Sequence, residues 1–413
     1  KSTRFFYFLV IFTIMITQII NNGKPYQLMF GVGAIQGILI ILWWGYDIFA
    51  RFTGSPIVTA SGVVSHWAHI YLMVFSFFPL FIFGFLMTAY PVWMGSEPIK
   101  LKPILPGVFL LIIGLFLINI GIFYNKNLFP FGTVLFALGW FFSIATLINV
   151  FRHAHKNNNF HSLLTIFFLV IGVIFLSIGA YGIFYNNVQI INLAKVGGMW
   201  WFLFPLFISI CHRLIPFFTS VVISEYEIYR PNKLLIATLV LIFFHGILEL
   251  NHQISYLWLV DINIAIITLW LSWKWIDKEV FSKRILFMLH IAYFWVTISF
   301  ILFTIQSVLN QNGYYLLSSG PLHCITMGFF TSMLFAMITR VSLGHSGRQV
   351  SANSFIWKLF LLIQVAAVLR LIVGFTINFQ YSQVLLLISA LLWFFCFFGW
   401  LKEFLNIYFT DLK

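Results

Sequence analysis

Uncharged apolar runs of about 20 residues recur along this 413-residue chain, and each is long enough to cross a hydrocarbon core of roughly 30 Å. Few folds tolerate that pattern. Hydrophobic residues make up 62% of the chain and charged ones 8%, where a soluble domain carries roughly a quarter. So few charges cannot cover a water-facing surface. Strand-like alternation is absent, so the runs are read as helices whose backbone hydrogen bonds close within each span. The expected class is an all-α polytopic transmembrane bundle with no folded domain outside the membrane.

Thirteen spans are predicted, at 5–21, 27–49, 64–90, 103–123, 128–150, 161–184, 198–221, 232–250, 254–273, 284–308, 318–342, 355–378 and 382–409. Short connections make neighbours antiparallel. No internal repeat is strong enough to claim. Residues 1–25 read as an extra N-terminal anchor, without the small-residue cleavage site of a signal peptide, and 26–413 as a twelve-helix domain. Basic residues are asymmetric. Sixteen, among them Lys24, Arg152, Arg230, Arg284, Arg340 and Arg348, fall on one face; five, Lys1, Arg4, Arg51, Lys126 and Lys195, fall on the other. The richer face is expected in the cytoplasm, with the amino terminus outside and the carboxyl terminus inside. This accounts for the net charge of +13 without nucleic acid as a partner; lipids are the expected surroundings. Cys211, Cys324 and Cys396 sit in apolar runs, and no CxxC or CxxCH occurs. Attached c-type haem, a thiolate zinc site and a disulfide framework are therefore not expected.

Polar side chains inside lipid are costly, which makes them the first functional candidates. His69 and His323 each fall roughly 5–8 Å below a helix start on the expected outer side. Two imidazoles at one depth on separate helices could clamp a haem iron, with Met73 one turn below His69 as a softer ligand and His66 one turn above. On the expected inner side, His290 lies about 9 Å inside its span and His345 follows the next, with His212 close by. Arg213, Arg340 and Arg348 surround this group and suit carboxylates such as haem propionates. Each histidine read singly is as readily a helix-to-helix hydrogen bonder, and Arg340 and Arg348 as readily mark a helix end. His153, His155 and His161 flank a basic loop and are read as solvated. A third group, His245, Glu249 and His252, shares one helical face, with Asp261 about 10 Å into the next span. It could hold copper or another metal, but a proton relay or a water-facing helix end is the favoured reading. P-loop, GxSxG and HExxH signatures are missing.

Four segments together resemble the NnrS family of bacterial inner-membrane proteins. They are GFLMTAYPVWMG from Gly84, RLIPFFT from Arg213, LHIAYFW from Leu289, and PLHCITMGFFTSMLFAMITRVSLGHSGR from Pro321, whose ending RVSLGHSGR is the most specific. The resemblance runs from about residue 26 onward. It implies a multi-pass bacterial inner-membrane protein containing haem and copper and linked to the nitric oxide response. It carries the family's histidines onto His69, His290, His323 and His345 and its arginines onto Arg213, Arg340 and Arg348. The chain departs from the family's HxH pair near His69, where Tyr71, Leu72 and Met73 follow; His66 is the available substitute.

Two functions follow. One is a b-type haem protein with one or two haems, held by His69 and His323 on the outer side and His290 and His345 on the inner, and a possible copper, binding or turning over nitric oxide, with quinol or another electron donor as partner. The other is a haem-free secondary transporter or permease. A haem-copper oxidase of the familiar kind is disfavoured because no His-His pair occurs.

Overall fold

The computed structural model describes residues 23–155, 160–375 and 381–409. It is 84% helical, with no strand among the described residues. Twelve long helices follow one another: α1 Pro25–Thr53, α2 Ser65–Met94, α3 Leu101–Phe123, α4 Leu128–Arg152, α5 Phe160–Tyr185, α6 Val188–Val222, α7 Asn232–Leu250, α8 Trp258–Trp275, α9 Arg284–Gln311, α10 Gly320–His345, α11 Ser354–Phe375 and α12 Ser382–Phe409. Their boundaries have local causes. Pro25 opens α1 without forfeiting a helical hydrogen bond, and Gly54 and Gly95 close α1 and α2 with positive φ angles of 73° and 66°. Asn187 caps α6 by accepting the Ile190 N–H at 3.1 Å.

Eleven of these helices are long and apolar enough to cross a membrane, not thirteen. The expected span 5–21 lies outside the described residues. The other shortfall is α8, which is 18 residues long and carries Asp261, Asn263 and Lys274 among four tryptophans. The expected polytopic all-α class stands.

The helices fall into three groups of four, an internal repeat absent from the sequence expectations. The second helix of each group contains a π-helical segment: Met73–Phe77 in α2, Gly197–Leu203 in α6 and Cys324–Thr331 in α10. Directly after the first two stand identical pentapeptides, Phe78–Ile82 and Phe204–Ile208, both FPLFI. The third keeps Leu334 and Phe335 in the same register. The last helix of each group packs on the first of the next: α4 on α5, α8 on α9, and α12 back on α1, closing the bundle. In sequence the repeat leaves only this short apolar match, which is inconspicuous among almost uniformly apolar segments; what recurs in all three is the backbone irregularity.

The three π-bearing helices form the centre. Their apolar windows are 89%, 83% and 78% buried, against 28–67% for the other eight spans. Phe78, Phe207 and Phe330, one from each, meet with ring centroids 4.6–5.8 Å apart. A separate device joins α3 to α4. Gly107, Gly114 and Gly121 recur every seventh residue and face Gly132 and Gly139, so the two backbones come together without intervening side chains. The opposite faces of that hairpin expose Phe116, Phe131 and Phe141, as lipid contact requires.

Candidate functional site

Polar side chains gather at the two ends of the central helices. At the end where α2 and α10 begin, His69 and His323 occupy equivalent places. Each is the eighth residue before the last π residue of its helix (69 to 77, 323 to 331). The same place in α6 (195 to 203) is Lys195. Both imidazoles and Met73 are half-buried. The His69 ring stacks on Trp44 of α1 at 4.1 Å and 10°, and its Nδ1 is buried without a hydrogen-bond partner. Trp44 in turn lies 5.0 Å beneath Arg51, which is ion-paired to Asp47.

His323 Nδ1 lies 2.8 Å from the Ser319 carbonyl. A carbonyl only accepts, so Nδ1 carries the proton and Nε2 keeps its lone pair, the arrangement that second-shell contacts impose on a metal-ligating imidazole. Arg370 of α11 donates to Ser319 Oγ at 3.0 Å. His66, His69, His323 and Arg370 all lie within electrostatic reach of one another. Trp44, Lys195 and Arg370 were not anticipated. Arg370 is a charge inside an apolar run, and nothing in the sequence signals that α11 brings it to His323.

The third expected group is only partly assembled. His245 Nδ1 meets Asp261 Oδ1 at 2.6 Å, both side chains are fully buried, and His245 Nε2 has no hydrogen-bond partner. This pair is therefore not a water-facing helix end. Glu249 lies nearer the surface, where it accepts from Trp200 Nε1 at 2.5 Å and pairs with Lys195 at 3.3 Å. His252 leaves the face, because α7 ends at Leu250 and His252 sits in the connection with φ 59°, exposed. Among the described residues, no group of three or more His, Cys, Asp or Glu side chains is arranged to hold a metal ion.

At the opposite end, His212 of α6 meets His161 at 3.0 Å, with the rings stacked at 18°. His161 is thus buried rather than solvated: α5 begins against α6, and the basic loop before it misled the expectation. His153 and His155 are exposed. His290 Nε2 lies 3.3 Å from Thr219 Oγ1, whereas the exposed His345 faces Tyr26 of α1 at 5.7 Å. The two expected inner ligands thus keep separate company. The Arg213 guanidinium lies over Trp93 at 4.9 Å and that of Arg340 over Phe218 at 4.0 Å. Arg230, in the α6–α7 connection, donates to the Arg213 carbonyl at 3.4 Å, and burial draws its guanidinium below the usual arginine range. Arg348 follows α10 and is exposed.

A closed bundle of membrane-length helices, with imidazoles at matched places on two central helices and arginines gathered at the far end, defines a polytopic integral membrane protein with polar clusters at both ends of an aromatic core. The NnrS protein family model matches residues 23–411, so the chain belongs to the NnrS family and, with it, to membrane proteins linked to the nitric oxide response. No curated protein matches it.

Proposed function

We propose that this chain is a b-type haem protein of the bacterial inner membrane that binds or turns over nitric oxide, with His69 and His323 as axial ligands. The observation that carries this reading is the pair of equivalent imidazoles. One has a ring nitrogen without a partner; the other is held by Ser319 so that Nε2 is free to coordinate. Haem needs only two protein ligands, so the lack of a three-residue cluster does not bear against it. Arg370 would supply a cation for a propionate at the same end, where Arg51 is already ion-paired to Asp47. A bound haem would contribute the redox-active iron. The chain's own part is to fix the tautomer of His323, hold His69 flat against Trp44, and exclude water with the aromatic core beneath. Met73, half-buried at the start of the π segment, is the softer alternative ligand. Quinol or another donor would supply electrons, and the His69 end would face outward with Arg340 on the cytoplasmic side. The transporter reading gains nothing from the repeat, which is threefold rather than two inverted halves about a midplane site.

Absorption spectra of the purified protein test the proposal. A Soret band is expected in the wild type, shifted by nitric oxide and lost or strongly displaced in His69→Ala and His323→Ala. A wild type without the band, or both variants with an unchanged one, would overturn it.

A further inference from the structure

At the Arg340 end of the three central helices lies a cavity of about 310 Å³. Arg213, Arg230, Arg340 and His345 line it together with aromatic and aliphatic side chains, and no acidic residue does. Arg213 and Arg340 belong to helices that cross the membrane, and their guanidiniums rest on Trp93 and Phe218. Neither has a carboxylate partner among the described residues. A ring face balances only part of a desolvated cation's charge, and half-buried cations gathered without an anion repel one another. Lys24, bonded to the His345 carbonyl at 2.7 Å, adds another positive charge at the rim. No side chain of the lining supplies a countercharge, and planar guanidinium forks grip an anion with several acceptor oxygens two at a time.

We propose that this cavity binds a phosphate-type oxyanion, held by Arg213, Arg230 and Arg340. The oxyanion is either the headgroup phosphate of an anionic phospholipid or a free phosphate ion. The apolar half of the lining, with Phe217 exposed at the rim, suits the glycerol and acyl portion in the first case. The site is separate from the proposed haem. Arg340 stands seventeen residues beyond His323 on α10 (323 to 340), about 26 Å along the axis, too far for propionates of a haem held there.

Thermal unfolding of the whole chain in an uncharged detergent reads out the site through the stabilisation that any native-state ligand confers. One arm titrates inorganic phosphate against sodium chloride at matched ionic strength. The other titrates phosphatidylglycerol against phosphatidylcholine in mixed micelles. A saturable rise in midpoint is expected in at least one arm: phosphate alone identifies a free ion, phosphatidylglycerol alone a lipid, and both a headgroup phosphate that suffices by itself. Arg213→Gln/Arg340→Gln should weaken the responding arm at least tenfold, while Lys358→Gln, an exposed charge on α11, should leave it unchanged. Should the double variant fail to fold, Arg340→Gln and Arg230→Gln are read singly for the same loss. No saturable response in either arm, or a response undiminished in the arginine variants, would overturn the proposal.

Discussion

The α3–α4 hairpin offers a sharp test of the packing argument. A Cβ placed on Gly132 would stand 2.5 Å from the Ile118 nitrogen, 2.8 Å from the Gly114 oxygen and 2.8 Å from the Leu117 carbonyl carbon. Ordinary contacts of this kind fall at about 3.5 Å, so Gly132→Ala must push the backbones apart by roughly 1 Å. All three obstacles are backbone atoms, and no rotamer change relieves them. Overpacking typically costs about 1–3 kcal/mol, and a clash with backbone on every side belongs at the upper end. Alanine returns about 0.8–1 kcal/mol of helix propensity, which leaves a net loss of about 2 kcal/mol. Gly45 of α1 is the internal control: its Cβ would meet nothing within 4 Å, so Gly45→Ala receives the propensity gain without the clash. Denaturation in mixed micelles, followed by far-ultraviolet circular dichroism, should separate the two variants by about 3 kcal/mol, the sum of that loss and gain. If Gly132→Ala unfolds within about 0.5 kcal/mol of the wild type, the scale of an ordinary surface change, the glycines do not set the helix separation.

The same unfolding measurement should rank two changes at Asp261. Asparagine can still accept from His245 Nδ1 and should cost about 1–3 kcal/mol, whereas leucine leaves a buried imidazole unpartnered and should cost about 3–5 kcal/mol; equal stabilities would mean that the 2.6 Å contact contributes nothing. Tyr226 lies outside the spans, donates to the Trp275 carbonyl at 3.1 Å, and is pushed up to about 12 by burial and then by Asp277. The folded state therefore holds this proton where an unfolded tyrosine, with a pKa of about 10, releases it. The stabilisation is complete below about pH 10 and is lost as pH rises through about 12. A phenolate difference spectrum between wild type and Tyr226→Phe should show this residue ionising near pH 12, and ionisation near pH 10 would refute the assignment.

Membrane spans were legible because lipid imposes a length and a composition that a local window can read; α8 was the marginal case for the same reason, its Asp261 and Lys274 diluting the signal. His69 and His323 could be set at one height because rise per residue converts sequence position into depth, and they stand at equivalent places in α2 and α10. Who stands beside them could not be read, since helix neighbours are set by packing of side chains that look alike in sequence. Trp44, Arg370 and Lys195 therefore appear only in three dimensions. His161 shows the opposite error: its neighbours in sequence are basic and polar, but its neighbour in space is His212. The periodicity argument for His245, Glu249 and His252 held for one turn and failed where α7 stops.

The seam between the last and first of the twelve helices has a bearing on biogenesis. Gln27 donates its side-chain amide to the Ile407 carbonyl at 2.6 Å, and Tyr26 and Phe30 pack on Tyr408. During synthesis α1 is made hundreds of residues before that partner exists, leaving the Gln27 amide nitrogen and two aromatic rings without their α12 contacts. A chain stalled before α12 would thus lack the partner that closes this first turn, so the seam between the two ends can form only once the whole bundle has been made.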